Sequence, residues 1–167
     1  MADIVPLKLA GDYRAPLTSA QQRMWFLQKL DEDQTAYLLP GTLSLDGPLD
    51  VEALEQALQE LIRRHDSLRM TIHQEGGIPF SLVREEKAFR LAIKTCTEEA
   101  AQQWIREECR RPIRVSDSEL YRMTLLRTGE CRHYLVLVLH HIITDGWSTG
   151  ILLNELRQLY AIRPSRP

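Results

Sequence analysis

The sequence predicts an α/β fold, a mixed β-sheet flanked by helices, on three observations. Apolar residues recur at helical spacing through Val51, Leu54, Leu58, Leu61 and Ile62. They alternate with period two from Leu68 onward and again from Tyr121. The run HYLVLVLH at residues 133–140 is apolar on both faces, as a strand in the middle of a sheet requires.

Taken in order, residues 1–16 read as an irregular lead-in punctuated by Pro6, Gly11 and Pro16. Thr18 with Gln21, or Ser19 with Gln22, fits a capping box that opens a first helix, with Ala20, Met24, Leu27 and Leu30 toward a core. Pro40-Gly41 breaks the chain before a short strand through Leu43 and Leu45, ended by Asp46-Gly47. Asp50 caps the second helix, with Glu52, Glu55, Gln59 and Arg63 on its outer side. Leu68, Met70 and Ile72 then alternate, Gly76-Gly77 turns, and Ile78, Phe80 and Leu82 alternate back as a hairpin.

Phe89, Leu91 and Ile93 suggest a further strand, and Thr97 caps a helix with Glu98 and Glu99 at its positive end. Pro112 stops that helix, and Tyr121, Met123 and Leu125 lead to the turn at Thr128-Gly129. After the central strand, Ser148 caps a closing helix through Ile151, Leu152, Leu156 and Leu159. The expected organisation is one folded unit over residues 17–162, with 163–167 opening a loop or truncation.

Composition narrows the function. With 167 residues, 44% hydrophobic and 26% charged, the chain holds one sizeable core and is not a disordered polymer. A net charge of −2, from 21 basic and 23 acidic residues, gives no footprint for nucleic acid. The first residues hold no signal-peptide apolar stretch, and the longest apolar run is too short to span a bilayer, so a cytoplasmic protein away from membranes is expected. Cys96, Cys109 and Cys131 are unpaired in spacing and read as reduced thiols, not as a disulfide or zinc framework.

One segment concentrates chemistry: LHHIITDGWS, residues 139–148. Adjacent strand residues point to opposite faces, so only one of His140 and His141 can serve a site while the other is buried and structural. A neutral imidazole accepts a proton near neutral pH, which suits attack of an amine or hydroxyl on a thioester. Asp145 can orient a histidine or pair with an arginine, and Gly146 permits positive φ and offers its amide. A core histidine pair beside a turn accounts for the same spacing. A metal site from His140, His141 and Asp145 is disfavoured, because strand neighbours diverge and no further ligand cluster lies near, so no metal is expected. No G-x-S-x-G elbow or nucleotide-binding glycine loop occurs. His65, among Arg63, Arg64 and Arg69, reads as a solvated helix end, and Trp25 and Trp104 as core.

The segment HHIITDG, residues 140–146, resembles the HHxxxDG motif of an acyltransferase superfamily that includes chloramphenicol acetyltransferase, wax ester synthases and peptide-synthetase condensation domains. Residues 19–27, SAQQRMWFL, resemble the first core motif of condensation domains, SxAQxRMWxL. Residues 64–72, RHDSLRMTI, are similar to the second, RHExLRTxF, with Asp66, Met70 and Ile72 departing from it. Pro112-Ile-Arg-Val115 and Glu119 also depart from the family pattern, away from the histidines. The resemblance runs from about Pro16 to Tyr160 and points to nonribosomal peptide synthetases.

That resemblance implies a chloramphenicol-acetyltransferase-like fold of two lobes in a V, with this chain as the amino-terminal lobe and a C-terminal lobe as its missing partner. It implies that His141 is catalytic, His140 its structural neighbour, and that Gly146 brings its amide toward the reacting carbonyl. Asp145 would hold the loop through an arginine, Arg64 or Arg69. The implied reaction joins carrier-tethered acyl or peptidyl and aminoacyl thioesters, with His141 accepting a proton or positioning the amine. Donor and acceptor peptidyl carrier domains are the implied partners, their phosphopantetheine arms the only cofactor, with none intrinsic. The Asp-Gly-Trp-Ser sequence and the first histidine point to condensation, not epimerisation or heterocyclisation. The lobe alone is expected to be inactive, with an apolar lobe interface that favours self-association. Two alternatives stand beside this: a non-catalytic folded half acting as an interaction module, and an acyltransferase using acyl-coenzyme A.

Overall fold

The computed structural model describes residues 11–162, and among them the run apolar on both faces becomes the strand on which the rest is built. Strand β7 (Arg132–His140) lies between β2 (Leu38–Asp46) and β6 (Tyr121–Arg127), antiparallel to both. Strand β5 (Ala92–Thr95) completes this four-stranded sheet by pairing parallel to β6. A parallel neighbour needs a long crossover, which is supplied by helix α3 (Glu98–Glu108). The sheet is mixed, as expected, and Leu135, Val136 and Val138 of β7 are all buried.

Alternation along β7 divides the molecule into two layers. On one face Tyr134 donates to Glu98 of α3 at 2.5 Å, and further along His140 meets helix α1 (Ser19–Leu30). On the other, Leu135 shares an apolar cavity of about 430 Å³ with Leu54 of α2 (Val51–Arg64) and Leu156 of α4 (Gly146–Ala161). The stripe Leu54, Leu58, Leu61 and Ile62 on α2 is buried, and Asp50 caps that helix through the Ala53 amide at 2.9 Å. Burying four such side chains contributes on the order of 6–12 kcal/mol before entropy is charged against it.

A second sheet, not separated from the first in the sequence reading, holds β1 (Tyr13–Pro16), β4 (Ile78–Val83) and β3 (Met70–Glu75), in the order β1-β4-β3. Gly76 and Gly77 turn β3 into β4 with φ of 58° and 84°, the left-handed pair that a tight hairpin demands. A 3₁₀ turn, Asp66–Arg69, carries the chain from α2 into β3.

Four local expectations need correction. Residues 13–16 are not irregular: they pair with β4, Tyr13 opposite Val83, a partner seventy residues away that no local period reports. Residues 1–10 of the lead-in and the loop expected over 163–167 lie outside the described residues. The chain is not broken at Pro40-Gly41, because β2 is an edge strand and a proline nitrogen facing away from the ladder forfeits no bond. The expected hairpin forms, and its return strand buries Ser81 and Val83, whereas Ile78 is 72% exposed. Strand β5 starts at Ala92, leaving Phe89 in the preceding segment, where its amide donates to Gln59 at 2.8 Å.

The fourth correction concerns α1. Its capping box forms at Thr18 and Gln21, but Ala20, Leu27 and Leu30 are exposed, and the buried residue of the helix is Gln28. The helix is turned so that an amide, not the leucines, meets the sheet.

Candidate active site

Strand β7 delivers two histidines to its end, and the structure treats them in opposite ways. His140 is fully buried, with an exposure of 0%. Its Nε2 lies 2.7 Å from Oε1 of Gln28, and its Nδ1 accepts the Ile142 amide at 3.0 Å. Because Nδ1 accepts, the proton sits on Nε2 and is donated to Gln28. Burial, reinforced by the neighbouring His141 and only partly opposed by Asp117, pulls the His140 pKa down to about 4. His140 is therefore a neutral side chain bonded at both nitrogens.

His141 is the first residue past the strand, and its amide donates to the carbonyl of Tyr37 at 2.8 Å. Its imidazole is half-buried and makes no hydrogen bond among the described residues. The turn that follows is pinned: Ile143 donates to the His140 carbonyl at 3.0 Å, and the Ile142 carbonyl accepts from Gln21 at 3.0 Å.

The turn runs into α4, whose cap is Asp145 and not the expected Ser148. Asp145 accepts the Ser148 amide at 2.7 Å, so Ser148 occupies the third helical position of a helix that starts three residues earlier than expected. That amide, followed by the serine hydroxyl, holds the Asp145 carboxyl below its usual range. Gly146 is the first helical residue; its φ is not positive and a Cβ there would meet nothing within 4 Å, so the backbone does not demand glycine. Its amide belongs to the first turn, where no intrahelical acceptor exists. An apolar cavity of about 330 Å³ opens beside Gly146 and Thr149, walled by Leu39, Leu137, Leu139 and Leu153.

The expected arginine partner of Asp145 is not there among the described residues. Arg69 is buried and serves the α2–β3 junction: it binds Asp66 at 2.6 Å and the carbonyls of Ile62, Arg63 and Arg84. Arg64 pairs with Glu60 at 2.8 Å on the outside of α2. The exposed Asp145 needed no buried cation, since a helix start already offers amides to a carboxylate. His65 is not a merely solvated helix end either, as its Nε2 lies 2.9 Å from Glu155 of α4. Asp145→Ala is thus expected to lower the melting temperature by a few degrees at most, and Asp145→Asn, which keeps a capping oxygen, to restore it. A thermal scan of the three proteins checks this; a collapse of the fold in Asp145→Ala would point back to a buried ion pair.

Sequence reasoning missed Gln28 and Gln21 as partners of the histidine turn. Gln28 also donates to the Ile113 carbonyl at 2.9 Å, which fixes which end of its amide faces His140. Their only signal was spacing, seven residues or about two helical turns apart on one helix. Among the described residues, no cluster of three or more His, Cys, Asp or Glu side chains is placed to hold a metal ion, and no helix is long and apolar enough to cross a membrane.

Comparison with known proteins bears on this site. A family model described as the condensation domain matches residues 12–165. Chondramide synthase of Chondromyces crocatus is 39% identical over 160 residues, covering 91% of this chain and 4% of the synthase. Surfactin synthase subunit 1 of Bacillus subtilis is 36% identical over 159 residues, covering 95% of this chain and 4% of that protein. The crystal structure of the first condensation domain of the CDA synthetase superposes with a TM-score of 0.78 at 25% identity, over 89% of this chain and 40% of that one. The chain thus spans a small part of the curated relatives it matches, and less than half of that solved domain.

Proposed function

The chain belongs to the condensation-domain family, and from that premise we propose that it contributes the histidine-bearing lobe of a domain that forms peptide bonds in nonribosomal peptide synthesis. The substrates are an acyl or peptidyl thioester on a donor carrier domain and an aminoacyl thioester on an acceptor carrier domain, each held by a phosphopantetheine arm. The acceptor amine attacks the donor carbonyl, a C–N bond forms and the C–S bond breaks. His141 takes the proton that the amine sheds and returns it to the departing thiolate. The Gly146 amide, without an intrahelical acceptor, stabilises charge on the carbonyl oxygen in this reading. His140 takes no part in proton transfer and holds the turn. On this reading the 167 residues supply one side of the site, and a second lobe supplies the other.

The observation that carries the reading is the contrast within the pair. One imidazole is bonded at both nitrogens and kept neutral, while the next, past the end of the same strand, is half-buried and without a hydrogen bond among the described residues. The test offers the full-length protein one acyl group on a carrier protein and the same acyl group on coenzyme A. Peptide formation is expected from the carrier thioester at a much higher kcat/KM; equal or greater use of the coenzyme A thioester would assign the chain to a different acyltransferase class.

A further inference from the structure

Helix α1 holds the histidine turn on both sides of His141, and it does so with two polar residues on one face. Gln28 reaches His140, the residue before, and Gln21 reaches the carbonyl of Ile142, the residue after. Burying an amide inside a helix otherwise exposing Phe26, Leu27 and Leu30 is costly unless its bonds are satisfied. Here they are. The Ile113 carbonyl can only accept, so the Gln28 amino group faces it at 2.9 Å and the Gln28 oxygen faces His140. That oxygen can only accept, so His140 must carry its proton on Nε2, and its Nδ1 is left to receive the Ile142 amide.

Gln21 is committed just as fully. Its oxygen accepts the Thr18 amide at 2.9 Å in the capping box, which turns its amino group toward Ile142 at 3.0 Å. The start of α1 is thereby tied to the histidine turn. His141, lying between two restrained neighbours, has an imidazole with no hydrogen bond of its own among the described residues to orient it. Its placement is left to the backbone on either side, which the glutamines hold.

We propose that Gln28 and Gln21 are positioning residues for His141, Gln28 acting through the Nε2-protonated tautomer of His140 and Gln21 through the Ile142 carbonyl. This rests on the reading of His141 as the proton acceptor. Misplacing a reacting group by about 1 Å can cost on the order of 10²-fold in rate, so a loosened turn should be visible in kcat and not in substrate affinity.

The test is a double-mutant cycle on single-turnover condensation by the full-length protein, with Gln28→Met, His141→Ala and the two combined. Gln28→Met is expected to slow turnover about 10–100-fold with half-saturating carrier concentration unchanged. In the His141→Ala background the same change is expected to cost less than about twofold, because the group it positions is gone. Gln21→Met, at a half-buried position, provides the same comparison if Gln28→Met fails to fold; about 3–10-fold is expected, again vanishing without His141. An equal loss in both backgrounds, or no loss in the single glutamine variants, overturns the proposal and leaves the glutamines as fold stabilisers. A near-normal rate in His141→Ala alone overturns the proton-acceptor reading instead, and is recognised without reference to either glutamine.

Discussion

Replacing His141 with alanine is expected to lower single-turnover peptide-bond formation by about 10²–10⁴-fold in the full-length protein while leaving its fold intact. The two halves of that expectation come from different parts of the structure. The imidazole makes no hydrogen bond among the described residues and is only half-buried, so truncating it strands no partner. The bond that does matter to the fold, from the His141 amide to Tyr37, belongs to the backbone and survives the change. The rate loss follows from the proposed role of His141 as proton acceptor, which His140, bonded at both nitrogens, does not take over. His140→Ala provides the contrast: it strands the Gln28 oxygen and the Ile142 amide in a fully buried position, and should harm folding as well as rate. Rapid-quench measurement with loaded donor and acceptor carriers decides the matter. A His141→Ala protein with a near-normal rate would remove the residue from the chemistry.

The features that the sequence displayed well were those with short-range causes. The capping box at Thr18, the Asp50 cap, the α2 stripe, the Gly76-Gly77 turn and the doubly apolar β7 all depend on residues within a few positions of one another. The same is true of the divergence of His140 and His141, which follows from strand alternation alone. What escaped depends on distant partners. Tyr13–Pro16 is a strand only because β4 lies beside it, and Pro40-Gly41 passes within a strand only because β2 sits at a sheet edge.

Gln28 illustrates the limit most clearly. A glutamine in a helix next to leucines reads as surface, since most glutamines are exposed. Here the helix is rotated by a buried bond to His140 more than a hundred residues along the chain, and the leucines take the surface. The Asp145 assignment failed for a related reason. In a loop the carboxylate would need an arginine; the helix in fact begins at Gly146, and its own Ser148 amide supplies the partner.

The neutral, doubly bonded state of His140 leads to the second large effect, a loss of stability in this region on mild acidification. In the unfolded chain a histidine takes up its proton near pH ~6.5. In the folded protein, burial first and His141 second depress that pKa to about 4. Between those values the unfolded state binds more protons than the folded one, so stability rises with pH across the window. The contribution is therefore fully present above about pH 6.5, is lost progressively as pH falls toward about 4, and changes no further below that. A shift of this size corresponds to about 3 kcal/mol. The structural cost is local, because protonating Nδ1 removes the acceptor for the Ile142 amide and leaves two donors where the turn needs one. Hydrogen exchange of the peptide covering residues 140–143, corrected for intrinsic rate, should show protection falling between pH 6.5 and 4. Gln59→Leu, which releases the remote Phe89 amide, should leave that pH dependence unchanged, whereas His140→Asn should abolish it. Protection that stays level across the window in the unaltered protein would mean that His140 is already protonated, or that the turn does not depend on its neutral form.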